Sequence, residues 1–381
     1  MSGEKDEIGG GMRHALHGVM AAVAALVLAT GCGTSSDDPP AQDHLLQGAY
    51  HYVSVTTTMQ TIFVRSEVGT CQADGAGNLT FEGAYSAEEG TLAGPFTPPP
   101  GTYTVGGMRD LTVLSGSGAL LRGRVAADGS VAESTAREAG DAPAMLILVR
   151  SAGVVTAADL AGTWHLVHWF RSPNPSYTAF SGVGKLTIDP AGHVTITQYS
   201  YNRDEVIDPA PPTPAPMMVV PNADGGVLWQ HAVTSAELLR GGLSPDRNVM
   251  LLGMTESGYA GIQMLIRADL DVDESDLLGD HDGGGVGLVL DPPPGMACFW
   301  GPFDANGSGG ARLGFDTNTH GELIENPTSP VGYSVDPDGG FHLWIAGPAD
   351  LRGAALPGGR CAMVGGPMWS GAMPMFQLLV R

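Results

Sequence analysis

The chain is 381 residues long, 43 % apolar and only 15 % charged, so it can bury a core and is no disordered polymer. Its 56 glycines and 28 prolines exceed a fifth of the residues and exclude long uninterrupted helices. Acidic residues outnumber basic ones by 40 to 18, and a net charge of −22 argues against nucleic acid or anionic headgroups as partners, which need a basic face.

The first element is an address. Residues 1–11 carry Glu4, Asp6 and Glu7, which do not suit the positive start of a signal peptide, so Met12 is the better start. After it, Arg13 supplies the charge, and Val19 to Ala29 is unbroken apolar sequence. That run is too short for a comfortable membrane span. It closes on Ala29-Thr30-Gly31-Cys32, small residues that let a peptidase approach the backbone. The ending resembles the lipobox of bacterial lipoproteins, with Ala29 standing where leucine is commoner. The resemblance implies that 1–31 is a signal peptide and that Cys32 becomes the acylated N-terminus. Gly33 follows the cysteine where an aspartate would favour the inner membrane, so the resemblance implies the outer membrane and leaves its side open. Residues 32–44 read as a disordered polar tether.

The rest is one unit written three times. Leu121-Arg122-Gly123 returns as Leu239-Arg240-Gly241 and as Leu351-Arg352-Gly353, a spacing of about 115 residues. Each copy ends in an apolar run closed by arginine, at Arg150, Arg267 and Arg381. Turn pairs keep the same order: Asp74-Gly75, Asp189-Pro190 and Asn306-Gly307 upstream, Asp128-Gly129, Asp246-Arg247 and Gly358-Gly359 downstream. The expected boundaries are 45–150, 159–267 and 277–381. Each copy shows eight strand-like runs, rich in Val, Thr, Tyr and Leu, divided by Gly/Asp turns. Glu88 to Gly101 and Asp204 to Pro216 are Pro-rich and predict extended loops at one rim of the unit.

Eight antiparallel strands must hide two edges. The spacing predicts an all-β chain of three tandem barrel-like meanders, each closing its own sheet and able to fold alone. The alternative is a single six-bladed propeller with two blades per repeat. The propeller gains from LILVR and MLLGM, apolar on both faces; the barrels gain from the linkers at 151–158 and 268–275. The openings GAYHYV and GTWHLV resemble the G-x-W/Y start of lipocalin-like and avidin-like barrels, and GDHDGGGVGLVL in the third copy departs from it.

Catalytic motifs are absent from the sequence. His51, His193, His231 and His342 lie in or beside strands without ligand spacing. Asp269, Asp271 and Asp273 have the spacing of a calcium loop, but Glu274 replaces its glycine and Asp280 closes it, so a solvated acidic linker is the better reading. Cys361, Met363, Met368, Trp369, Met373 and Met375 form a soft-ligand cluster that core packing explains equally well. No metal and no cofactor is therefore expected. Cys298 and Cys361, on the second and seventh strands of one copy, are the disulfide candidates; Cys71 is then left over. The expected function is a lipid-anchored, non-catalytic envelope protein with an envelope protein or a small molecule as partner. The alternative is a carrier whose barrel holds a small apolar ligand among Trp164, Trp169, Trp229 and Trp344. An enzyme of unrecognised class ranks last.

Overall fold

The computed structural model describes residues 42–381 except 59–60, 89–90, 172–178, 204–205, 209–215, 223–224, 257–258, 290–294, 320, 346–348 and 367–373. Contacts divide the chain into two compact units, Met1–Pro40 and Ala41–Arg381.

Each repeat is a closed antiparallel barrel. The first comprises β1 (Gln47–Thr58), β2 (Thr61–Asp74), β3 (Asn78–Glu88), β4 (Thr91–Phe96), β5 (Gly101–Val105), β6 (Asp110–Leu114), β7 (Leu120–Val125), β8 (Val131–Ala136) and β9 (Ala144–Arg150). The order β2-β1-β9-β8-β7-β6-β5-β3 closes through pairing of β2 with β3, which leaves β4 as a flap on the edge of β3. The second repeat has β10 (Gly162–Arg171), β11 (Ala179–Ile188), β12 (His193–Arg203), β13 (Val206–Asp208), β14 (Met217–Pro221), β15 (Val227–His231), β16 (Glu237–Leu243), β17 (Val249–Met254) and β18 (Ala260–Arg267), with β13 as the flap. The third has β19 (Gly279–Val289), β20 (Gly295–Ala305), β21 (Gly310–Leu313), β22 (Asp316–Thr319), β23 (Glu322–Ile324), β24 (Ser329–Val335), β25 (Gly340–Ile345), β26 (Ala349–Ala355), β27 (Cys361–Gly366) and β28 (Met375–Val380). Here β21 and β22 both pair with β20, as one third strand interrupted at Gly314-Phe315, and β23 is its flap. The barrel expectation holds, and the propeller is set aside.

The repeated landmarks have physical causes. Asp74, Asp189 and Asn306 each accept two backbone N–H bonds from their own turn, which is why these residue types recur there. The glycine of each Leu-Arg-Gly lies against the neighbouring strand: a Cβ on Gly123, Gly241 or Gly353 would collide with the carbonyl oxygen of Glu133, Leu251 or Met363. The leucine before it is buried in the barrel. The terminal arginines close one end of each barrel. Arg150 donates to Leu45 O at 3.1 Å and lies over the Tyr50 ring. Arg267 donates to Asp159 O and Ala161 O at 2.6 and 2.9 Å and lies 4.3 Å from the Trp164 ring centroid. Arg381 reaches Asp276 O at 3.4 Å. The carbonyls belong to a 3-10 turn (Asp43–Leu45), a capped single-turn helix (Ala157–Leu160) and the turn around Asp276. The acidic linker thus folds onto the third barrel: Val272 and Leu277 join its interior, and Asp276 accepts from Gly358 N.

The three barrels form a closed ring. The first two strands of each pack on the last strands of the next: β1 and β2 on β16, β17 and β18; β10 and β11 on β26, β27 and β28; β19 and β20 on β7, β8 and β9. Such head-to-tail contacts, closing after three steps, make an internal quasi-threefold. Between the barrels lies a fourth apolar core drawn from all three repeats, besides the three barrel interiors. Along β9, Leu146 and Leu148 face the first interior while Met145, Ile147 and Val149 face the shared core. The runs apolar on both faces are therefore barrel walls between two cores, not blade strands. On the axis, Arg360 forms ion pairs with Asp128 at 2.7 Å and with Asp246, one carboxylate from each of the other repeats.

Candidate binding face and the placement of the site residues

The ring places all closed ends on one face. The turns holding Asp128, Asp246 and Arg360 meet there, and so do the arginine closures. Gln42 lies on this face too, bonded to Val105 O and Gly107 O at 2.7 Å. The opposite face carries the flaps β4, β13 and β23. Of the eight exposed large apolar side chains among the described residues, Leu92, Leu114, Val233, Ile324 and Trp344 lie at this end, and Met108, Val154 and Leu278 at the closed one. Trp344 is stacked on His342 at 6.1 Å. This end is the candidate binding face, because it carries the flaps and five of the eight exposed large apolar side chains among the described residues.

Both Pro-rich segments leave the top of the third strand, at that end. The first is not the extended loop expected: β4 forms inside it, and Phe96 packs against the first barrel's interior. An aromatic anchor and a free edge of β3 suffice to order it. The second contains β13, and Asp204, Glu205 and 209–215 lie outside the described residues.

Inside the mouth of the second barrel sits a polar cluster. Trp164, Leu166, His168 and Phe170 alternate along β10 toward the interior. His168 Nε2 and the Tyr199 hydroxyl are hydrogen-bonded at 2.9 Å, and the ring is also bonded to the Gln263 side chain. Phe170 and Phe180 flank the ring at 4.5 and 5.9 Å. Burial pushes the His168 pKa down to about 3, so the ring is neutral at ordinary pH. The Gln263 side-chain N–H group finds no acceptor among the described residues. His168 was legible only through its alternation with Trp164; Tyr199 and Gln263 carry no signal of their own.

The four tryptophans do not gather. Trp164 and Trp229 lie in the second interior, Trp169 in the shared core with its N–H donating to Pro374 O at 3.2 Å, and Trp344 is 44 % exposed. A cavity lined by all four is excluded. Met363 and Cys361 belong to the shared core and Met375 packs on the third interior, whereas Met368, Trp369 and Met373 lie outside the described residues. Cys32 and the segment 1–31 also lie outside them. His51 is buried between the first two barrels, where only glycine at 242 leaves room for its ring. His193 and His342 pair with Asp189 and Asp336 in exposed turns, and His231 closes its own turn.

Cys298 and Cys361 are not joined. Pairing places β19 and β28 between their strands, three strand spacings or roughly 14 Å across the wall, and the register sets Cys361 four residues further along, where a disulfide needs about 5–6 Å between Cα atoms. Both are free and buried, as is Cys71. Cys298 instead ties two barrels together, its thiol donating to Ala144 O of the first barrel at 3.1 Å. At the same place in the other repeats Ser181 donates to Gly366 O and Ser66 accepts from Gly261 N. Register marks the three as equivalents, opposite Val286, Trp169 and Val55. Burial pushes the Cys71 and Cys361 thiols up to about 12 and raises that of Cys298 as well. All three are expected to resist a thiol reagent in the folded protein and to react after denaturation. A pair still protected in denaturant without reductant would show a bridge.

Among the described residues no group of three or more His, Cys, Asp or Glu is placed to hold a metal ion. No family model matches the chain, and no curated protein matches it. Solved structures similar to it include isotype 1 transferrin binding protein B from Neisseria meningitidis, at 9 % identity over 87 % of this chain and 75 % of that one, with a TM-score of 0.23. A mutant transferrin binding protein B from Haemophilus parasuis matches at 9 % identity over 90 % and 76 %, TM-score 0.23. A DUF3598-family protein of unknown function from Nostoc punctiforme matches at 14 % identity over 59 % and 97 %, TM-score 0.21. Such scores carry no inference about function.

Proposed function

We propose that this is a lipid-anchored, non-catalytic binding protein of the bacterial outer membrane. Cys32 is the anchor, the polar segment that follows is the spacer, and the ring of barrels is a rigid head. The observation that carries this reading is the point of entry. The chain joins the head at Gln42, on the closed face, ten residues after Cys32. At full extension those residues span at most about 35 Å. The flaps β4, β13 and β23 lie at the end of the head opposite Gln42. Cys32→Ser is expected to release the protein from membranes or to leave it unprocessed; normal processing with unchanged membrane fractionation would defeat the reading.

A second reading has one observation in its favour. The unpaired amide N–H of Gln263, beside His168 and the rings of Phe170 and Phe180, would be satisfied by an oxygen of a small aromatic or amphipathic molecule in the second barrel. Mass spectrometry of organic extracts from the native protein tests it: a stoichiometric small molecule supports the carrier, and an empty extract supports display alone.

A further inference from the structure

The three joints of the ring are equivalent in geometry and different in chemistry. At the joint of repeats 1 and 2 the seventh strand presents Leu251, and at that of repeats 2 and 3 it presents Met363, both in the shared core. At the joint of repeats 3 and 1 the same place on β8 is held by Glu133, wholly buried. Gly284 on β19 faces it, and a side chain there would collide with Glu133 Oε2. The fold thus accepts an apolar residue at this position twice and makes room for an acid once. Glu133 is within hydrogen-bond reach of Asp282 on β19. Arg137, just beyond β8, donates to Asp282 Oδ2 at 2.5 Å and lies 3.5 Å from Glu133 Oε1. Arg124 on β7 contacts Asp280 Oδ2 at 3.2 Å and Asp110 at 3.7 Å. These are the charged groups that face the acid from β6, β7, the end of β8 and β19.

This joint has a second peculiarity. Repeats 1 and 2 are tied by residues 151–161 and repeats 2 and 3 by 268–278, but repeats 3 and 1 meet without a linker. The closing joint can therefore part while each barrel stays intact and the chain stays connected.

We propose that the Glu133–Asp282 pair holds one proton and that this proton is the catch of the ring: the joint between the third and first barrels is firm while the pair carries it and loosens when it is lost. Two carboxyls in contact, Glu133 wholly buried and Asp282 only 14 % exposed, cannot both ionise without repulsion that the nearby guanidinium groups of Arg137 and Arg124 offset only in part. Burial first, and the Asp282 charge second, hold Glu133 well above the usual carboxylate range, while Arg137 and Arg124 pull it down. In the unfolded chain Glu133 ionises near the ordinary glutamate value of about 4.3. Above that value the folded state binds more protons than the unfolded one, so stability declines as pH rises, until the folded-state pKa is passed.

The test uses the full mature chain between about pH 5 and about pH 9. Hydrogen exchange, corrected for the intrinsic pH dependence, is followed on β8 and β19 and on β10 as reference, alongside the thermal midpoint. The wild type is expected to lose about tenfold more protection in β8 and β19 than in β10, with a midpoint lower by about 3 °C at the alkaline end. Glu133→Gln keeps the shape and a donor but cannot titrate, and is expected to flatten both profiles. Asp282→Asn, which removes the repulsion but leaves Glu133 buried, should make both profiles shallower without flattening them, and serves if the first variant does not fold. Parallel pH profiles in wild type and variants, or equal loss of protection in β10, would overturn the proposal.

Discussion

Residues 159–267, produced as a fragment, are expected to aggregate rather than to give a soluble cooperative monomer. The sheet of this repeat is closed, and a closed sheet has no edges to protect. Closure by itself favours the independent folding expected of a barrel. The outer wall decides otherwise. Val167, Trp169, Leu251, Ile262, Met264 and Ile266 face away from the barrel interior into the shared core and are at most 1 % exposed. Exposing them forfeits roughly 10 kcal/mol, from about 1.5–3 kcal/mol for each large apolar side chain, which is of the order of a whole domain's stability. The patch left bare exceeds what soluble monomers ordinarily show. Size-exclusion chromatography and a thermal melt of the fragment check this; a monomer with a sharp transition would mean that the wall tolerates water and that the repeats are independent beads.

Gly353→Ala is expected to destabilise the intact protein by about 3 kcal/mol, a fall of the thermal midpoint of about 4 °C for a cooperative unit of this size. One methyl group is ordinarily neutral or helpful in place of glycine, since it restricts the unfolded chain. Here it would point at the Met363 carbonyl oxygen, which is held in the β26–β27 ladder and cannot swing aside as a side-chain tip can. Arg352→Ala, the adjacent position, is the control: its guanidinium pairs with Asp350 on the surface at 2.7 Å and should cost under about 1 kcal/mol. Equal midpoints for the two variants would show that the strands can separate at this point. The same substitution at Gly241 or Gly123 should behave alike, because each meets the corresponding carbonyl of its own repeat.

The repeat and its strands were legible in the residues because their causes are local. An Asp or Asn that accepts its own turn's N–H groups, a glycine forced by a neighbouring carbonyl and an arginine that plugs a barrel end must recur wherever the unit recurs. The eight runs and their turns follow from alternation and turn chemistry, which act over a few residues. The meaning of the strands apolar on both faces was not legible. LILVR reads alike as a wall between two cores and as a strand between two blades, and only the ring shows which neighbour covers the second face. The pairing of cysteines fails for the same reason: positions on the second and seventh strands of one unit become distant once β19 and β28 take their places between them. The ring joints were invisible too. Glu133, Asp282 and Gly284 belong to repeats separated by more than a hundred residues, and nothing local marks one buried acid among many carboxylates. The unit was written in the chain; what the units do to one another was decided by tertiary packing, because the residues that meet there come from different repeats and each looks ordinary in its own.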